Sequence, residues 1–146
     1  MSTKSAANDR GAPRPARVLV VDDEPSLVDI FSQFLGYKYQ VEGFTSSTLA
    51  LEELRAQPAD LLVSDLVMPG LNGLQLTSAA KDLHPKLKVV LVSGVNPRSW
   101  PAEGASGLDR VDAFLAKPMS LKSLDICCAR LLCESERAGE DELPTA

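Results

Sequence analysis

The sequence predicts an α/β fold in which a parallel β-sheet is covered by helices on both faces. Short continuous apolar runs alternate with stretches of helical period along the chain. The runs end abruptly at polar residues, as expected of strands that are buried on both sides. Strands that alternate with helices of this length are joined by right-handed crossovers, which give a doubly wound parallel sheet.

Five strands are predicted, and they differ in polarity. The strand at 40–44 is partly polar, which is typical of a sheet edge. The other four are continuous apolar runs, and they occupy residues 18–21, 61–63, 89–92 and 113–115.

Apolar residues at spacings of three and four predict the helices between these strands. The first helix begins at Pro25, where the missing N–H has no cost, and Ser120 is placed to cap the last helix. The other predicted helices cover residues 50–54 and 74–83. A fourth crossover helix is expected between 94 and 112, but Pro97, Pro101, Gly104 and Gly107 interrupt its pattern.

Length and charge predict one domain with two short tails. The chain has 146 residues with 45% hydrophobic and 24% charged side chains, a globular composition. The folded body is predicted at 17–133, with a disordered arm at 1–16 and an acidic disordered tail at 134–146. The net charge is −5, and an acidic body without a basic stripe argues against nucleic-acid binding.

Cysteine use and hydropathy indicate a cytoplasmic protein. Cys127, Cys128 and Cys133 lie in one amphipathic stretch without a further cysteine to pair with, and we interpret them as small apolar helix residues in a reducing compartment. No apolar run approaches the ~20 residues that span a bilayer. The first 17 residues lack the apolar centre of a signal peptide, so no membrane association is expected.

Polar residues follow every predicted strand except the edge strand. Because the carboxyl ends of parallel strands meet at one edge of a sheet, these residues are expected to converge there. Converging carboxylates repel one another unless a cation lies among them, and hard oxygen ligands favour Mg²⁺ or Mn²⁺. The residues are Asp22, Asp23 and Glu24, then Asp65, then Ser93 and Gly94, and last Lys117 and Pro118.

The chemistry of this set is that of phosphoryl transfer onto a carboxylate. Taken singly, each acidic residue could simply cap a helix or begin a turn. Chemically active residues follow four different strands, however, and this coincidence favours a common site. Asp22 and Asp23 are expected to hold the cation, and Asp65 to be both ligand and acceptor. The other predicted contributions are a backbone carbonyl oxygen from Val67, a positive charge from Lys117 and a hydroxyl from Ser93.

Four motifs together resemble the receiver domain of bacterial response regulators, the phosphoacceptor proteins of two-component signalling. They are Arg17-Val-Leu-Val-Val-Asp-Asp-Glu-Pro25, Asp60-Leu-Leu-Val-Ser-Asp-Leu-Val-Met-Pro-Gly-Leu-Asn-Gly73, Val89-Val-Leu-Val-Ser-Gly94 and Asp112-Ala-Phe-Leu-Ala-Lys-Pro118. The resemblance implies strand order 2-1-3-4-5 and a cis bond between Lys117 and Pro118. It also implies phosphorylation of Asp65 by the phosphohistidine of a histidine kinase or a histidine phosphotransfer protein.

The resemblance further implies a switch. Ser93 is expected to move toward the phosphoryl group while Phe114 turns inward, although Phe114 could equally be a core residue. Phosphorylation is expected to bias a protein-binding face made of the fourth crossover helix, the fifth strand and the last helix. Too few residues follow Cys133 for an output domain, so the expected output is another protein: a target that binds this face, a kinase whose phosphate the chain drains, or a downstream histidine phosphotransfer protein. The chain is expected to be a monomer or a weak phosphorylation-dependent dimer.

Three alternatives follow from other function classes. An aspartyl-phosphate phosphatase would carry Asp-x-Asp after its first strand, whereas this chain has Asp22-Asp23-Glu24. An adaptor that keeps the fold but is never phosphorylated is disfavoured because every residue of the predicted site is present. A nucleotide binder is weaker still, since no glycine-rich phosphate loop follows the first strand.

Overall fold

Five parallel strands form one sheet in the computed structural model, which describes residues 14–96, 99 and 107–142. The spatial order is β2-β1-β3-β4-β5, as predicted, so β3 lies at the centre between β1 and β4. The strands are β1 (Arg17–Val21), β2 (Gln40–Phe44), β3 (Leu61–Ser64), β4 (Lys88–Ser93) and β5 (Ala113–Ala116).

Helices cover both faces of the sheet. They are α1 (Pro25–Leu35), α2 (Ser47–Ala56), α3 (Gly73–Leu83) and α4 (Leu121–Glu142). Alternate side chains of β1 and β3 enter opposite cores, as the two-residue period of a strand requires. One core packs the sheet against α1 and α4, and the other packs it against α2 and α3. The predicted doubly wound fold is therefore confirmed.

Local capping explains where three of these helices begin. Ser46 accepts a hydrogen bond from the backbone N–H of Leu49 at the start of α2. Asn72 and Gln75 form a reciprocal capping box at the start of α3. The Ser120 hydroxyl accepts a hydrogen bond from the Ser123 N–H, 3.0 Å away, which confirms the cap predicted for the last helix.

The last helix is longer than the sequence analysis predicts. It runs to Glu142, past the domain boundary placed at Cys133, which corrects the prediction of disorder for residues 134–142. The charged composition of this segment was interpreted as a solvated tail, but Glu, Arg and Ala are also good helix formers. The predictions of disorder for 1–13 and for 143–146 lie outside the described residues, and 14–16 have no regular secondary structure.

The fourth crossover is described only in part. Residues 97, 98 and 100–106, where most of a helix was expected, lie outside the described residues. The described end of the segment is a single 3₁₀ turn at Leu108–Arg110, preceded by Gly107 with a φ of +96°. A Cβ at Gly107 would also lie 2.8 Å from the carbonyl oxygen of Leu74. This position therefore favours glycine on two counts, its left-handed backbone and its close approach to α3.

The three cysteines differ in accessibility, which predicts one reactive thiol. Cys127 and Cys128 are buried in the core while Cys133 is exposed, and burial raises the pKa of the Cys128 thiol to about 12. With a thiol reagent at pH 8, we expect fast modification of Cys133 alone in the native protein and of all three thiols in denaturant. Cys133→Ser should remove the fast phase. Rapid labelling of Cys128 in the folded protein would contradict this assignment.

None of the described helices is both long enough and apolar enough to cross a membrane.

Candidate functional site

Backbone hydrogen bonds position the predicted site residues at the carboxyl ends of the parallel strands, which lie along one edge of the sheet. The N–H of Asp22 donates to the Phe44 carbonyl at 3.1 Å, and the N–H of Asp65 donates to the Val21 carbonyl at 3.0 Å. The N–H of Lys117 donates to the carbonyl of Ser93 at 2.9 Å. Each of the three residues thus extends the ladder just beyond its strand, where side chains from neighbouring strands converge.

Asp22, Asp23 and Asp65 meet at this edge. One carboxylate oxygen from each residue lies within 4.8 Å of one from each of the others. Asp22 is 2% exposed, Asp65 is half-buried and Asp23 faces solvent. The three carboxylates therefore form a cluster that is buried at Asp22 and exposed to solvent at Asp23.

The carboxylates of Asp22 and Asp65 have different partners. Asp22 Oδ1 accepts a hydrogen bond from the Glu24 N–H at 3.0 Å, and Asp22 Oδ2 accepts one from Lys117 Nζ at 3.1 Å. Asp65 Oδ1 accepts a hydrogen bond from the Leu66 N–H at 2.8 Å, while Asp65 Oδ2 lies 3.7 Å from Lys117 Nζ. Both side chains are thereby held by backbone N–H groups as well as by the lysine.

Burial raises the pKa of Asp65 above its ordinary value, and the negative charge of Asp22 adds to this effect. The Lys117 ammonium and the Leu66 N–H act in the opposite direction but do not cancel it. Ionised Asp65 is therefore electrostatically unfavourable in this cluster. A cation bound among the carboxylates would relieve the repulsion.

The donor set fits a divalent cation such as Mg²⁺ or Mn²⁺. Three clustered carboxylates supply the hard oxygen atoms that these ions prefer. The side chain of Val67 is 50% exposed beside the cluster, and the role of its carbonyl as a further ligand stays a prediction.

Ser93 is the last residue of β4, and Phe114 lies within β5 opposite Leu91 of β4. Ser93 is 2% exposed at the end of β4, and its hydroxyl accepts a hydrogen bond from the Val95 N–H at 3.1 Å. Phe114 is 37% exposed, so the alternative that it is a core residue is wrong. The peptide bond between Lys117 and Pro118 is cis.

Two residues to which the sequence analysis gave no role support the backbone of Asp65. The Ser64 hydroxyl donates to the Asp65 carbonyl at 2.8 Å, and the Gly73 N–H donates to the Leu66 carbonyl at 2.7 Å. A Cβ at Gly73 would lie 2.4 Å from the Asp65 carbonyl oxygen. A glycine that directly follows a helix cap was the available signal, because it marks a close approach of two backbones.

Comparison with known proteins identifies the family. Residues 18–126 match the family model described as the response regulator receiver domain. The chain belongs to this family. The receiver domain is a signalling domain, and the sequence resemblance is confirmed.

Relatives of this receiver domain occur at several chain lengths. "Response regulator receiver protein CpdR" of Brucella abortus is 29% identical over 74% of this chain and 89% of its own length. A "Probable cyclic di-GMP phosphodiesterase" of Vibrio cholerae is 32% identical over 73% of this chain. The matched region is only 24% of that protein, so its named activity says nothing direct about this receiver domain.

A solved structure shows the same fold. The "response regulator receiver domain protein (CheY-like)" from Methanospirillum hungatei superposes with a TM-score of 0.77 at 26% identity, covering 85% of this chain and 98% of that one.

The raised pKa of Asp65 predicts a stability effect in metal-free protein. Above the raised pKa, ionised Asp65 destabilises the native state, and this penalty vanishes below the unfolded pKa of about 4. In EDTA at pH 7, Asp65→Asn is therefore expected to unfold at a higher temperature than wild type, with a difference that shrinks on acidification. Mg²⁺ should stabilise wild type more than the variant. Thermal unfolding by circular dichroism measures both; a less stable variant in EDTA would contradict the electrostatic account.

Proposed function

We propose that Asp65 accepts a phosphoryl group from the phosphohistidine of a histidine kinase or a phosphotransfer protein, in a reaction that requires Mg²⁺ or Mn²⁺. The observation that carries this proposal is the convergence of Asp22, Asp23 and Asp65 with the Lys117 ammonium at one strand edge. This combination supplies a nucleophile, a place for a cation and a fixed positive charge.

In this reaction a carboxylate oxygen of Asp65 forms a bond to phosphorus as the bond from phosphorus to the imidazole nitrogen breaks. The leaving imidazole takes up a proton, and no general base is needed because the reacting carboxylate is ionised. A bound divalent cation would screen the carboxylate from the approaching phosphoryl oxygens, with the Val67 carbonyl as a further proposed ligand. Lys117 and the Ser93 hydroxyl would then hold phosphoryl oxygens.

The proposed output is a phosphorylation-dependent change of one surface. Ser93 is the last residue of β4, directly before the segment that leads to β5, so a new bond from its hydroxyl to the phosphoryl group would pull on the start of that segment. Phe114 on β5 and Val95 are both partly exposed and could repack in response. We propose that a protein target binds the surface made by the 94–112 segment, β5 and α4, and that phosphorylation biases its two states.

We propose that this receiver signals through a separate protein and carries out no enzymatic reaction other than its own phosphorylation and dephosphorylation. We propose a monomer, or a weak dimer that depends on phosphorylation. We propose a cytoplasmic location, which the reduced, buried thiols of Cys127 and Cys128 favour.

Phosphoramidate tests the proposed reaction without a partner protein, because its phosphorus–nitrogen bond has the chemistry of phosphohistidine. We expect the intact mass of the protein to increase by one phosphoryl group in Mg²⁺ and to stay unchanged in EDTA. The adduct should be stable in acid and lost in base, as an acyl phosphate is. A protein that binds Mg²⁺ but never gains mass would instead support the non-phosphorylated adaptor.

A further inference from the structure

Ser47 carries a buried hydroxyl at the start of α2 that the helix itself does not need. The residue is 2% exposed. The cap of α2 is made by its neighbour Ser46, whose hydroxyl accepts a hydrogen bond from the Leu49 N–H at 3.2 Å. Burying a hydroxyl is costly unless it is hydrogen-bonded, so the partners of Ser47 are informative. They lie outside α2, in the loop that follows Asp65.

This acceptor loop, residues 65–72, joins β3 to α3. The Ser47 hydroxyl accepts a hydrogen bond from the Leu71 N–H at 3.1 Å and donates one to the Pro69 carbonyl at 3.4 Å. Between these two residues lies Gly70, which has a φ of +78°. One hydroxyl thus pairs the backbone groups on both sides of a left-handed turn at the tip of the loop.

The acceptor loop is also held at its base. The Gly73 N–H donates to the Leu66 carbonyl at 2.7 Å, which closes the loop beside Asp65. Val67 lies between this base and the tip that Ser47 holds. The Val67 carbonyl, a proposed ligand of the divalent cation, is therefore fixed from both directions along the chain.

We propose that Ser47 is a positioning residue for the divalent cation, because its hydroxyl holds the acceptor loop in the conformation that presents the Val67 carbonyl to the carboxylates. Ser47 acts through the loop and is not itself a ligand. The inference rests on the proposed function, in which the Val67 carbonyl is a ligand. Coupling between two sites is reciprocal, so a bound cation must in turn stabilise the hydrogen bond between Leu71 and Ser47.

Calorimetric titration with Mg²⁺ tests the proposal on Ser47→Ala, with Ser46→Ala as the matched control. Each variant loses one hydroxyl at the start of α2, but only Ser47→Ala frees the loop tip. We expect Ser47→Ala to bind Mg²⁺ about fivefold more weakly than wild type, which corresponds to the net contribution of one hydrogen bond. The loss is limited because the buried Met68 also anchors the loop in the core.

Ser46→Ala should weaken the cap of α2 and leave the Mg²⁺ affinity unchanged. Ser47→Thr, which keeps a hydroxyl, should bind Mg²⁺ more tightly than Ser47→Ala. An unchanged affinity in Ser47→Ala, or an equal loss in Ser46→Ala, would overturn the proposal.

The Mg²⁺ dependence of phosphorylation by phosphoramidate separates positioning of the metal from damage to the acceptor. Ser47→Ala should need more Mg²⁺ for its half-maximal rate and should reach the wild-type rate at saturating Mg²⁺. A lower maximal rate with an unchanged Mg²⁺ dependence would contradict the proposal. If Ser47→Ala binds Mg²⁺ more weakly but even wild type is never phosphorylated, the positioning role stands and only the phosphoacceptor function fails.

Wild-type protein decides the question if Ser47→Ala does not fold. In amide hydrogen exchange followed by NMR, saturating Mg²⁺ should slow exchange of the Leu71 N–H about fivefold, the same factor as in the titration. The Leu49 N–H, which Ser46 holds in α2, should exchange at an unchanged rate. No slowing at Leu71, or the same slowing at both amides, would refute the coupling.

Discussion

Phosphorylation is expected to be lost completely when Asp65 is replaced by Asn. The amide keeps the shape of the carboxylate, and its oxygen can still accept the Leu66 N–H that holds Asp65 Oδ1. It lacks the anionic oxygen that attacks phosphorus, so the fold should persist while the reaction stops. Electrophoresis in a phosphate-binding gel after incubation with phosphoramidate and Mg²⁺ would show no shifted band.

The control for this variant is Asp82→Asn, which makes the same chemical change at an exposed aspartate paired with Arg110. It should be phosphorylated at the wild-type rate, because a surface ion pair of this kind has little effect on stability. Retained phosphorylation of Asp65→Asn at a comparable rate would show that another residue is the acceptor.

A second large effect is expected at Gly73, where α3 begins against the acceptor loop. An ideal Cβ there would lie 2.4 Å from the Asp65 carbonyl oxygen and 2.9 Å from the Leu66 Cα. Both atoms belong to the backbone and cannot rotate away, so Gly73→Ala must displace the acceptor or the helix. We expect a loss of about 1–3 kcal/mol in the free energy of unfolding, together with slower phosphorylation.

Gly94→Ala is the matched control in urea denaturation, since a Cβ at Gly94 meets no atom within 4 Å. Gly94→Ala should change the free energy of unfolding little.

At Gly73, which lies in a helix, an opposing effect is present, because helix propensity alone favours alanine over glycine by ~1 kcal/mol. A more stable Gly73→Ala protein would therefore mean that propensity outweighs the close contact and that the acceptor loop is not tightly packed.

Much of the fold was predictable because its strands are buried on both faces. Continuous apolar runs such as 89–92 are rich in valine and too short for helices, which favours buried strands. The common edge was predictable as well, since parallel strands end on the same side of a sheet. Asp22, Asp65 and Lys117 could therefore be assigned to one site before any distance was known.

Features that depend on distances between side chains could not be predicted. The preference of Lys117 for Asp22 over Asp65 is a difference of 0.6 Å between two contacts of 3.1 and 3.7 Å. The exposed fraction of Phe114, 37%, is another such feature, because the apolar run at 113–115 predicts a strand that is buried on both faces. The extent of α4 was misjudged for another reason, because residues 134–142 combine the charge of a solvated tail with high helix propensity.

The most direct test of the account is to map the phosphorylated residue itself. Borohydride reduces an aspartyl phosphate to homoserine, which tandem mass spectrometry locates in a peptide. After incubation with acetyl phosphate and Mg²⁺, we expect homoserine at position 65 alone, and none when EDTA replaces Mg²⁺. Homoserine at another aspartate, or equal yields with and without the metal, would contradict it.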